Sequence, residues 1–239
     1  MSDIIMEKVM PQMLNMLSKE LPKMTTERKL QIEKLDLLIK SRFTEMFGQE
    51  INVLELKDVC SIITDGTHQS PKFIDNGIPF LLVSNIVDNE IAYNTKKYIS
   101  QDEYNILIKR TPIEIGDLLL TIVGSYGNPA IVKTDQAFCF QRHIAYMKPK
   151  HDIVNSEYLH SMLLSDYVQK QIDDKVKGIA QKTLNLSELR TVRVFIPSLD
   201  RQTHFADFVK KVNKIKTEIL QGLKNLELLY NALIDKHFI

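Results

Sequence analysis

Both ends of the chain carry apolar residues at helical spacing. Towards the N-terminus, every third or fourth residue after Glu27 is apolar: Ile32, Leu35, Ile39, Phe43 and Met46. This spacing places the five side chains on one stripe of an α-helix, which we predict to end at Gly48. Residues 1–21 show a similar amphipathic pattern. Because Pro22 follows them, we predict a separate short helix within residues 1–24, to which the pattern assigns no role.

The C-terminal segment, residues 199–239, has a longer pattern of the same kind. Its apolar residues recur at steps of three or four and form a heptad-like seam with one irregular step: Phe205, Phe208, Val212, Ile215, Ile219, Leu223, Leu226, Tyr230 and Leu233. A helix over residues 200–237 is roughly 57 Å long at about 1.5 Å per residue, which is more than residues 27–47 cover. We therefore predict a helical hairpin or coiled coil that leaves apolar surface for a partner protein or a second copy of the chain.

Residues 49–198 have a different pattern of apolar and polar residues from the two helical ends. Short β-rich runs alternate with glycine-containing turns: Val53–Ile63, Ile78–Val83, Leu118–Val123 and Thr191–Ile196. A capping box at Ser100 and Glu103 predicts one helix, and a second is predicted to begin near Asn155 and to continue through Ile172. The predicted fold class is α+β, with one mixed, β-rich globular domain flanked by long helices.

Charge and cysteine content narrow the possible functions. The formal net charge is +1, which argues against a protein that coats nucleic acid through charge alone. Residues 52–197 hold 16 basic and 17 acidic side chains, but Lys133–Lys150 holds four basic residues and only one acidic residue. Cys60 and Cys139 form no CxxC pair, and no long apolar run occurs, so we expect a cytoplasmic protein without disulfides or a membrane segment.

Motifs for catalysis are largely missing. The sequence contains no GxxxxGK[ST] phosphate loop and no GxGxxG, and Asn128-Pro129-Ala130-Ile131 lacks the second proline and the aromatic residue of an amino-methyltransferase motif. Glu55-Leu56-Lys57 is similar to half of a metal-dependent nuclease site, but we predict that Glu55 and Lys57 are solvent-facing strand positions. We therefore expect no catalytic residue, metal or cofactor. A stand-alone nuclease and a coiled-coil assembly protein remain as alternative functions.

The segment Glu33–Gly48 resembles the conserved helix that precedes a target-recognition domain in specificity subunits of type I restriction-modification enzymes. Further ordered matches follow: Leu56-Lys57-Asp58-Val59, Asp65-Gly66-Thr67-His68 with Pro71, Gly77–Leu81, Gly116–Leu120, Gln141-Arg142, Lys177–Leu184 and Ile196–Leu199 with Gln202. The resemblance covers about residues 30–239. It divides the chain into the conserved helix (25–48), one recognition domain (49–198) and a second conserved, long coiled-coil helix (199–239).

The resemblance implies a non-catalytic subunit that recognises double-stranded DNA and carries methyltransferase subunits on its helices, with a restriction or translocase subunit as a further partner. Members of the family usually have two recognition domains, whereas this sequence has one. A half-length subunit regains two domains by pairing with itself, so we expect a homodimer formed through the helices.

Candidate DNA contacts lie in loops that contain glycine, small polar and basic residues, because there the backbone approaches phosphate and side chains reach base edges. Arg142 and Gln141 suit bidentate base contacts, whereas Lys72, Lys177 and Lys182 suit phosphates, and Tyr126 suits stacking at a base step. The complete predicted set is Thr67, His68, Gln69, Ser70, Lys72, Ser84, Asn85, Ser125, Tyr126, Asn128, Gln141, Arg142, His143, Lys177, Gln181 and Lys182.

Overall fold

The structure of the protein, a computed structural model, describes residues 2–178 and 181–238. Within these residues the α-helices are α1 (Ser2–Phe47), α2 (Leu56–Val59), α3 (Gln101–Leu107), α4 (Ser156–Leu163), α5 (Asp166–Lys175), α6 (Leu186–Arg190) and α7 (Leu199–Phe238). The strands are β1 (Val53–Glu55), β2 (Cys60–Asp65), β3 (Ile78–Leu81), β4 (Ile86–Val87), β5 (Glu90–Ile91), β6 (Tyr98–Ile99), β7 (Leu118–Thr121), β8 (Pro129–Ile131), β9 (Cys139–Phe140), β10 (Ile144–Pro149) and β11 (Arg193–Phe195).

The chain divides into two units. The globular unit is Met46–Ala206, and the helical unit combines Met1–Glu45 with Asp207–Ile239. The mixture of strands with long terminal helices confirms the predicted α+β class. The predicted bounds of the recognition domain, 49–198, lie inside the globular unit. None of the described helices has an apolar stretch long enough to cross a membrane.

A four-stranded antiparallel sheet, in the order β2-β10-β7-β8, forms the centre of the globular unit. All four residues of β7 are buried, and so are five of the six residues of β10, which explains the nearly continuous apolar run of β7. A second sheet, β6-β3-β9, joins the same core, where Leu81 and Phe140 are buried in one cluster with Leu119 and Tyr146.

Two predicted elements of the globular unit are each divided in the structure. The predicted strand Val53–Ile63 is interrupted by α2, because the Asp58 carboxylate accepts a hydrogen bond from the Glu55 amide at 3.3 Å and begins a helical turn. Lys57 therefore lies in a helix and not on a strand. The predicted helix through Ile172 is two helices, since the Ser165 hydroxyl caps the start of α5. The predicted start of α3 is confirmed, with one of the two bonds of the predicted capping box: the Ser100 hydroxyl accepts from the Glu103 amide.

In the helical unit, α1 is one continuous helix, so the predicted break at Pro22 is wrong. A proline in a helix removes one N–H donor and crowds the preceding turn, but these are local costs. Helical residues on both sides continue the hydrogen-bonding pattern, because extending a helix is easier than nucleating one. As a consequence, α1 has 46 residues and α7 has 40, so α1 is long enough to accompany α7 along its whole length.

The predicted seam of α7 is correct at most positions and wrong at one. Val212 and Leu223 are buried, and Phe208, Ile219, Leu226 and Tyr230 are half-buried, but Ile215 is 47% exposed. The enclosed position next to it belongs to Lys216, whose ammonium pairs with the Asp36 carboxylate of α1 at 2.6 Å. Val209, 3% exposed, is a buried residue that the prediction missed. The side chain of Leu233 lies outside the described residues.

The corrected seam has a strict heptad spacing. One set of buried and half-buried positions alternates by four and three residues: Phe205, Val209, Val212, Lys216, Ile219, Leu223, Leu226 and Tyr230. Ala206, Phe208 and Asn213 beside this set are also buried or half-buried. On α1, Ile32, Leu35 and Ile39 are half-buried and Phe43 is buried, as the predicted stripe requires. A lysine at one seam position is a polar residue that fixes which residues of the two helices face each other.

Candidate nucleic-acid interface

Three predicted DNA-contact segments lie at one end of the four-stranded sheet. In the antiparallel register, Asp65 at the end of β2 pairs with Ala145, and Ile144 at the start of β10 pairs with Thr121 at the end of β7. Residues 66–72 leave β2, residues 122–128 connect β7 to β8, and residues 141–143 enter β10. All three segments must therefore emerge from the same edge. We call this edge, with the neighbouring segment 82–85 and a further segment described at residues 177–178 and 181–182, the loop edge.

The segments 66–72 and 141–143 are joined directly by their backbones. The Thr67 amide donates to the Phe140 carbonyl at 3.0 Å, and the Arg142 amide donates to the Thr67 carbonyl at 3.0 Å. This pairing requires glycine before Thr67, because a Cβ on Gly66 would lie 2.1 Å from the Phe140 carbonyl oxygen. The role of Gly66 is therefore to permit this close approach of two backbone segments, which no pattern in the sequence indicates.

The remaining predicted segments connect to the same edge through further backbone bonds. The Ile122 amide donates to the His143 carbonyl at 2.9 Å, and the Gly124 amide donates to the Lys182 carbonyl at 2.9 Å. Lys177 and Thr183 exchange two backbone hydrogen bonds, so these two residues lie side by side. On the other side, the Gln141 amide donates to the Leu81 carbonyl at 3.0 Å, so the chain continues from Leu81 towards Ser84 beside Gln141.

Tyr126 is fixed in the loop edge. Its hydroxyl donates to the Asp173 carboxylate at 3.0 Å, and the Lys182 ammonium lies 5.7 Å from the centroid of its ring. A cation at this distance from an aromatic face is attracted to it. The ring is half-buried and held on two sides, so it orients Lys182.

Two predicted contact residues have structural partners. The Asn85 carboxamide accepts a hydrogen bond from the Leu82 amide at 2.9 Å and donates to the carbonyls of Ala92 and Asn94. Asn85 is only 8% exposed. The Asn128 carboxamide donates to the Thr121 and Ser125 hydroxyls at 3.2 and 3.1 Å. Both amides hold loop backbone in place, and Asn85 presents little surface to a ligand.

Most of the other predicted residues are exposed at the loop edge. The exposed ones are His68, Gln69, Ser70, Lys72, Ser84, Ser125, Arg142, Lys177, Gln181 and Lys182, whereas Thr67, Gln141 and His143 are half-buried. The Lys177 ammonium forms an ion pair with the Glu188 carboxylate at 2.9 Å. No ion pair or hydrogen bond involves the Arg142 guanidinium within residues 2–178 and 181–238. Burial, reinforced by the charge of Arg142, lowers the pKa of His143, so this ring is neutral at pH 7.

A cluster that sequence reasoning missed adjoins these residues. The Asp65 carboxylate, 10% exposed, pairs with the Arg110 guanidinium and with His68 Nε2, the latter at 2.8 Å. Arg110 and His68 border a cavity of about 350 Å³ whose apolar wall includes Ile106, Leu107 and Phe140. Arg110 and Asp65 are 45 residues apart in the chain, and no local pattern signals their contact.

Glu55 and Lys57, which resemble half of a nuclease site, form an ion pair with each other. The Lys57 ammonium and the Glu55 carboxylate form an ion pair at 2.5 Å, which lowers the pKa of Glu55. Among the residues that the structure describes, no group of three or more His, Cys, Asp or Glu side chains has the arrangement to hold a metal ion. The geometry thus gives no particular support to metal-dependent cleavage by the described residues.

A family model decides the classification of the chain. The model for the type I restriction modification DNA specificity domain matches residues 48–228. The chain belongs to this family. The match includes every predicted contact residue of the loop edge, and it also includes the seam of α7 from Phe205 to Leu226.

Individual members of the specificity-domain family are similar over most of the chain. The specificity subunit of the type I restriction enzyme EcoBI from Escherichia coli is 27% identical over 215 residues, which are 88% of this chain and 44% of that protein. The MjaVIII specificity subunit from Methanocaldococcus jannaschii is 22% identical over 173 residues, 70% of this chain and 40% of that protein. The chain thus spans less than half the length of these relatives.

Solved structures share the fold of this specificity-domain protein. The HsdS subunit from Thermoanaerobacter tengcongensis aligns with a TM-score of 0.55 at 16% identity, covering 96% of this chain and 57% of that one. A type I restriction-modification S subunit from M. genitalium aligns with a TM-score of 0.54 at 15% identity, with 95% and 57% covered. The arrangement of one globular unit with long helices therefore recurs in proteins of low sequence identity.

Proposed function

We propose that the chain is a non-catalytic DNA-recognition subunit of a type I restriction-modification system and that it acts in the cytoplasm. The observation that carries this proposal is the convergence of five separate polar segments at the loop edge, in a chain of the specificity-domain family. Loops that leave one edge of a sheet form a surface whose side chains are not needed for the core. Such a surface fits recognition of double-stranded DNA by base and phosphate contacts.

The charges at the loop edge suggest a division of roles. Arg142 is exposed, and its backbone is held by Thr67, so its guanidinium reaches outward from a fixed base and suits a bidentate contact with guanine. Gln141 is the neighbouring candidate for an adenine contact. Lys72 and Lys182 are exposed lysines that suit phosphate oxygens. Lys177 must exchange Glu188 for a phosphate, so we assign it a smaller contribution.

The test compares Arg142→Ala with Lys182→Ala in the full chain bound to its methyltransferase partner. We expect Arg142→Ala to weaken binding to the specific site by about 1–3 kcal/mol and binding to random DNA only slightly. Lys182→Ala should weaken both and reduce the salt dependence of the binding constant. Fluorescence anisotropy at two salt concentrations measures these effects. Equal losses on specific and random DNA for Arg142→Ala would remove it from the base-contact set.

We propose that the helical unit binds the methyltransferase subunit. Beyond the seam, this unit exposes large apolar side chains that no other described element covers: Leu30, Leu37, Leu38, Ile215, Leu220, Leu228 and Leu229, each between 46% and 63% exposed. Leu37 and Ile215 are the chain neighbours of the Asp36–Lys216 ion pair. Exposed apolar side chains on paired helices favour a protein partner.

This second proposal is tested with Ile215→Lys, and the matched control is Thr217→Lys, an exposed polar position two residues away. Ile215→Lys should reduce capture of the methyltransferase in a pull-down, and Thr217→Lys should not. Equal capture by both variants would place the partner surface elsewhere.

We further propose that two copies of the chain pair through the helical unit. Because α1 is long enough to accompany the seam of α7, the contact would use exposed residues such as Leu228 and not the seam itself. A two-fold axis makes identical domains recognise an inverted repeat, so the target should be palindromic with a non-specific gap. Light scattering should give twice the 27.6 kDa mass of one chain. A monomer at micromolar concentration with an asymmetric methylation motif would refute the pairing alone.

A further inference from the structure

The guanidinium of Arg110 is held in one orientation by Asp65. Its Nε donates to the Asp65 backbone carbonyl at 3.1 Å, and its Nη2 donates to the Asp65 carboxylate. The other carboxylate oxygen lies 2.8 Å from His68 Nε2, so Asp65 has a second side-chain neighbour beside Arg110. Asp65 is 7% exposed and lies at the last position of β2, which is paired with β10. Arg110 is thus attached to the end of a strand in the four-stranded sheet.

The outer side of this guanidinium is open. The Arg110 side chain is 52% exposed, and Nη1 donates no hydrogen bond to any part of the chain that the structure describes. A guanidinium has five N–H donors, and Asp65 uses one on Nε and one on Nη2. Two donors on Nη1 and one on Nη2 remain, and they point away from Asp65 as a fork. The adjoining cavity of about 350 Å³, bordered by His68 and Phe140, leaves space for a ligand beside that fork.

The charge of the pair favours a neutral acceptor over a phosphate. Phosphate binding depends mainly on uncompensated positive charge, and here the Asp65 carboxylate neutralises Arg110. Arg142, Lys72 and Lys182 offer the uncompensated charges of the loop edge. A guanidinium that keeps its directional fork but little net attraction for anions suits the O6 and N7 acceptors of guanine in the major groove, where a bidentate arginine contact discriminates between bases.

We propose that Arg110 is a specificity-determining residue that contacts a guanine of the target and that Asp65 is its positioning residue. This inference rests on the proposed function, because it needs the loop edge to face DNA. It adds a contact residue from the turn after α3, a segment outside the five predicted ones. It also predicts that at least one G·C pair of the target depends on Arg110 and not on Arg142.

The experiment selects binding sites from random double-stranded DNA with the full chain in complex with its methyltransferase partner. The variant is Arg110→Lys, which keeps a cation beside Asp65 but loses the fork. The matched control is Lys109→Ala, which removes an exposed positive charge from the adjacent position. Thermal denaturation of both variants checks that they are folded.

We expect the unmodified protein to enrich a motif that contains a G·C pair. Arg110→Lys should lose at least fivefold of the preference at one such pair, the lower limit for a bidentate contact of about 1–3 kcal/mol, and keep the other preferences. Lys109→Ala should keep the whole motif. An unchanged motif, or a uniform loss of affinity that indicates a phosphate contact, would overturn the role of Arg110 and leave the proposed function intact. If the unmodified complex enriches no motif, the proposed function itself fails.

Discussion

Replacing Gly66 with alanine should separate the two loops on which the loop edge is built. The added Cβ would lie 2.1 Å from the Phe140 carbonyl oxygen and 2.7 Å from the Gln141 carbonyl oxygen. Both obstacles are backbone atoms, so no side-chain rotation relieves the contact. The segment after β2 must move away from residues 140–142, and the hydrogen bonds that join Thr67 to Phe140 and Arg142, each 3.0 Å long, must lengthen.

The size of the effect follows from these contacts. Forcing an extra carbon into a filled site costs about 1–3 kcal/mol. Weakening two hydrogen bonds adds about 0.5–1.5 kcal/mol for each. The free energy of unfolding should therefore fall by about 2–6 kcal/mol, which lowers Tm by roughly 4–24 °C at about 2–4 °C per kcal/mol for a domain of this size. On the function that we propose, affinity for the specific DNA site should fall as well, because Thr67 and Arg142 lose their common support.

Thermal and urea denaturation measure the stability change, and Gly124→Ala is the matched control. Gly124 lies in the same loop edge at a φ of +74°, but no atom lies within 4 Å of its ideal Cβ position. Alanine there costs only backbone strain, about 1 kcal/mol. If Gly66→Ala is no more destabilising than Gly124→Ala, the close approach at Gly66 does not support the loop edge as we infer.

Three further changes test other parts of the structure. Phe47→Ala should cost about 3–5 kcal/mol of stability, because this ring is fully buried and makes edge-on contacts with two aromatic rings; a urea titration showing a loss below 1 kcal/mol would contradict this. Lys216→Leu should raise stability by about 1 kcal/mol, since an apolar residue replaces a partly exposed ion pair in the seam, and a lower Tm would show that the pair matters more. Burial lowers the pKa of His160 to about 4 in the folded protein, so as the pH falls the unfolded chain binds a proton at this side chain before the folded protein does. The free energy of unfolding should therefore fall by on the order of 3 kcal/mol between about pH 6.5 and pH 4. His160→Gln should remove this part of the pH dependence, which urea titrations at several pH values would measure.

The helical pattern was sufficient to find α7 but not to assign its faces correctly. Apolar residue type favoured Ile215, which the structure exposes beside the half-buried Lys216, and the pattern missed the buried Val209. A lysine can occupy a seam position because its methylene chain is buried while its ammonium meets Asp36. Such a position becomes visible only when the opposite helix is known. The error at Pro22 has a related cause, since the local penalty of a proline does not show whether the helix continues beyond it.

The candidate site shows a similar limit. Turn residues and short polar loops predicted the individual segments, including the one that contains Gln141 and Arg142. That the segments meet follows from the strand order β2-β10-β7-β8, which no periodicity encodes. For the same reason, the sequence did not predict the contact between Asp65 and Arg110. It also did not predict that the Asn85 carboxamide forms hydrogen bonds with three backbone groups of its own loop.

The chain enters and leaves the globular unit at neighbouring points. The Phe47 and Phe205 rings lie 5.6 Å apart, and Arg201 pairs with Glu50 at 2.8 Å and also donates to the Met46 carbonyl. A genetic exchange with one crossover near each of these points would replace everything between them as a single cassette. The helical residues outside the cassette, and with them the surface that we propose for partner subunits, would stay unchanged. If the chain has the function that we propose, a new DNA target would then arise in one recombination event, without a matching change in any other subunit.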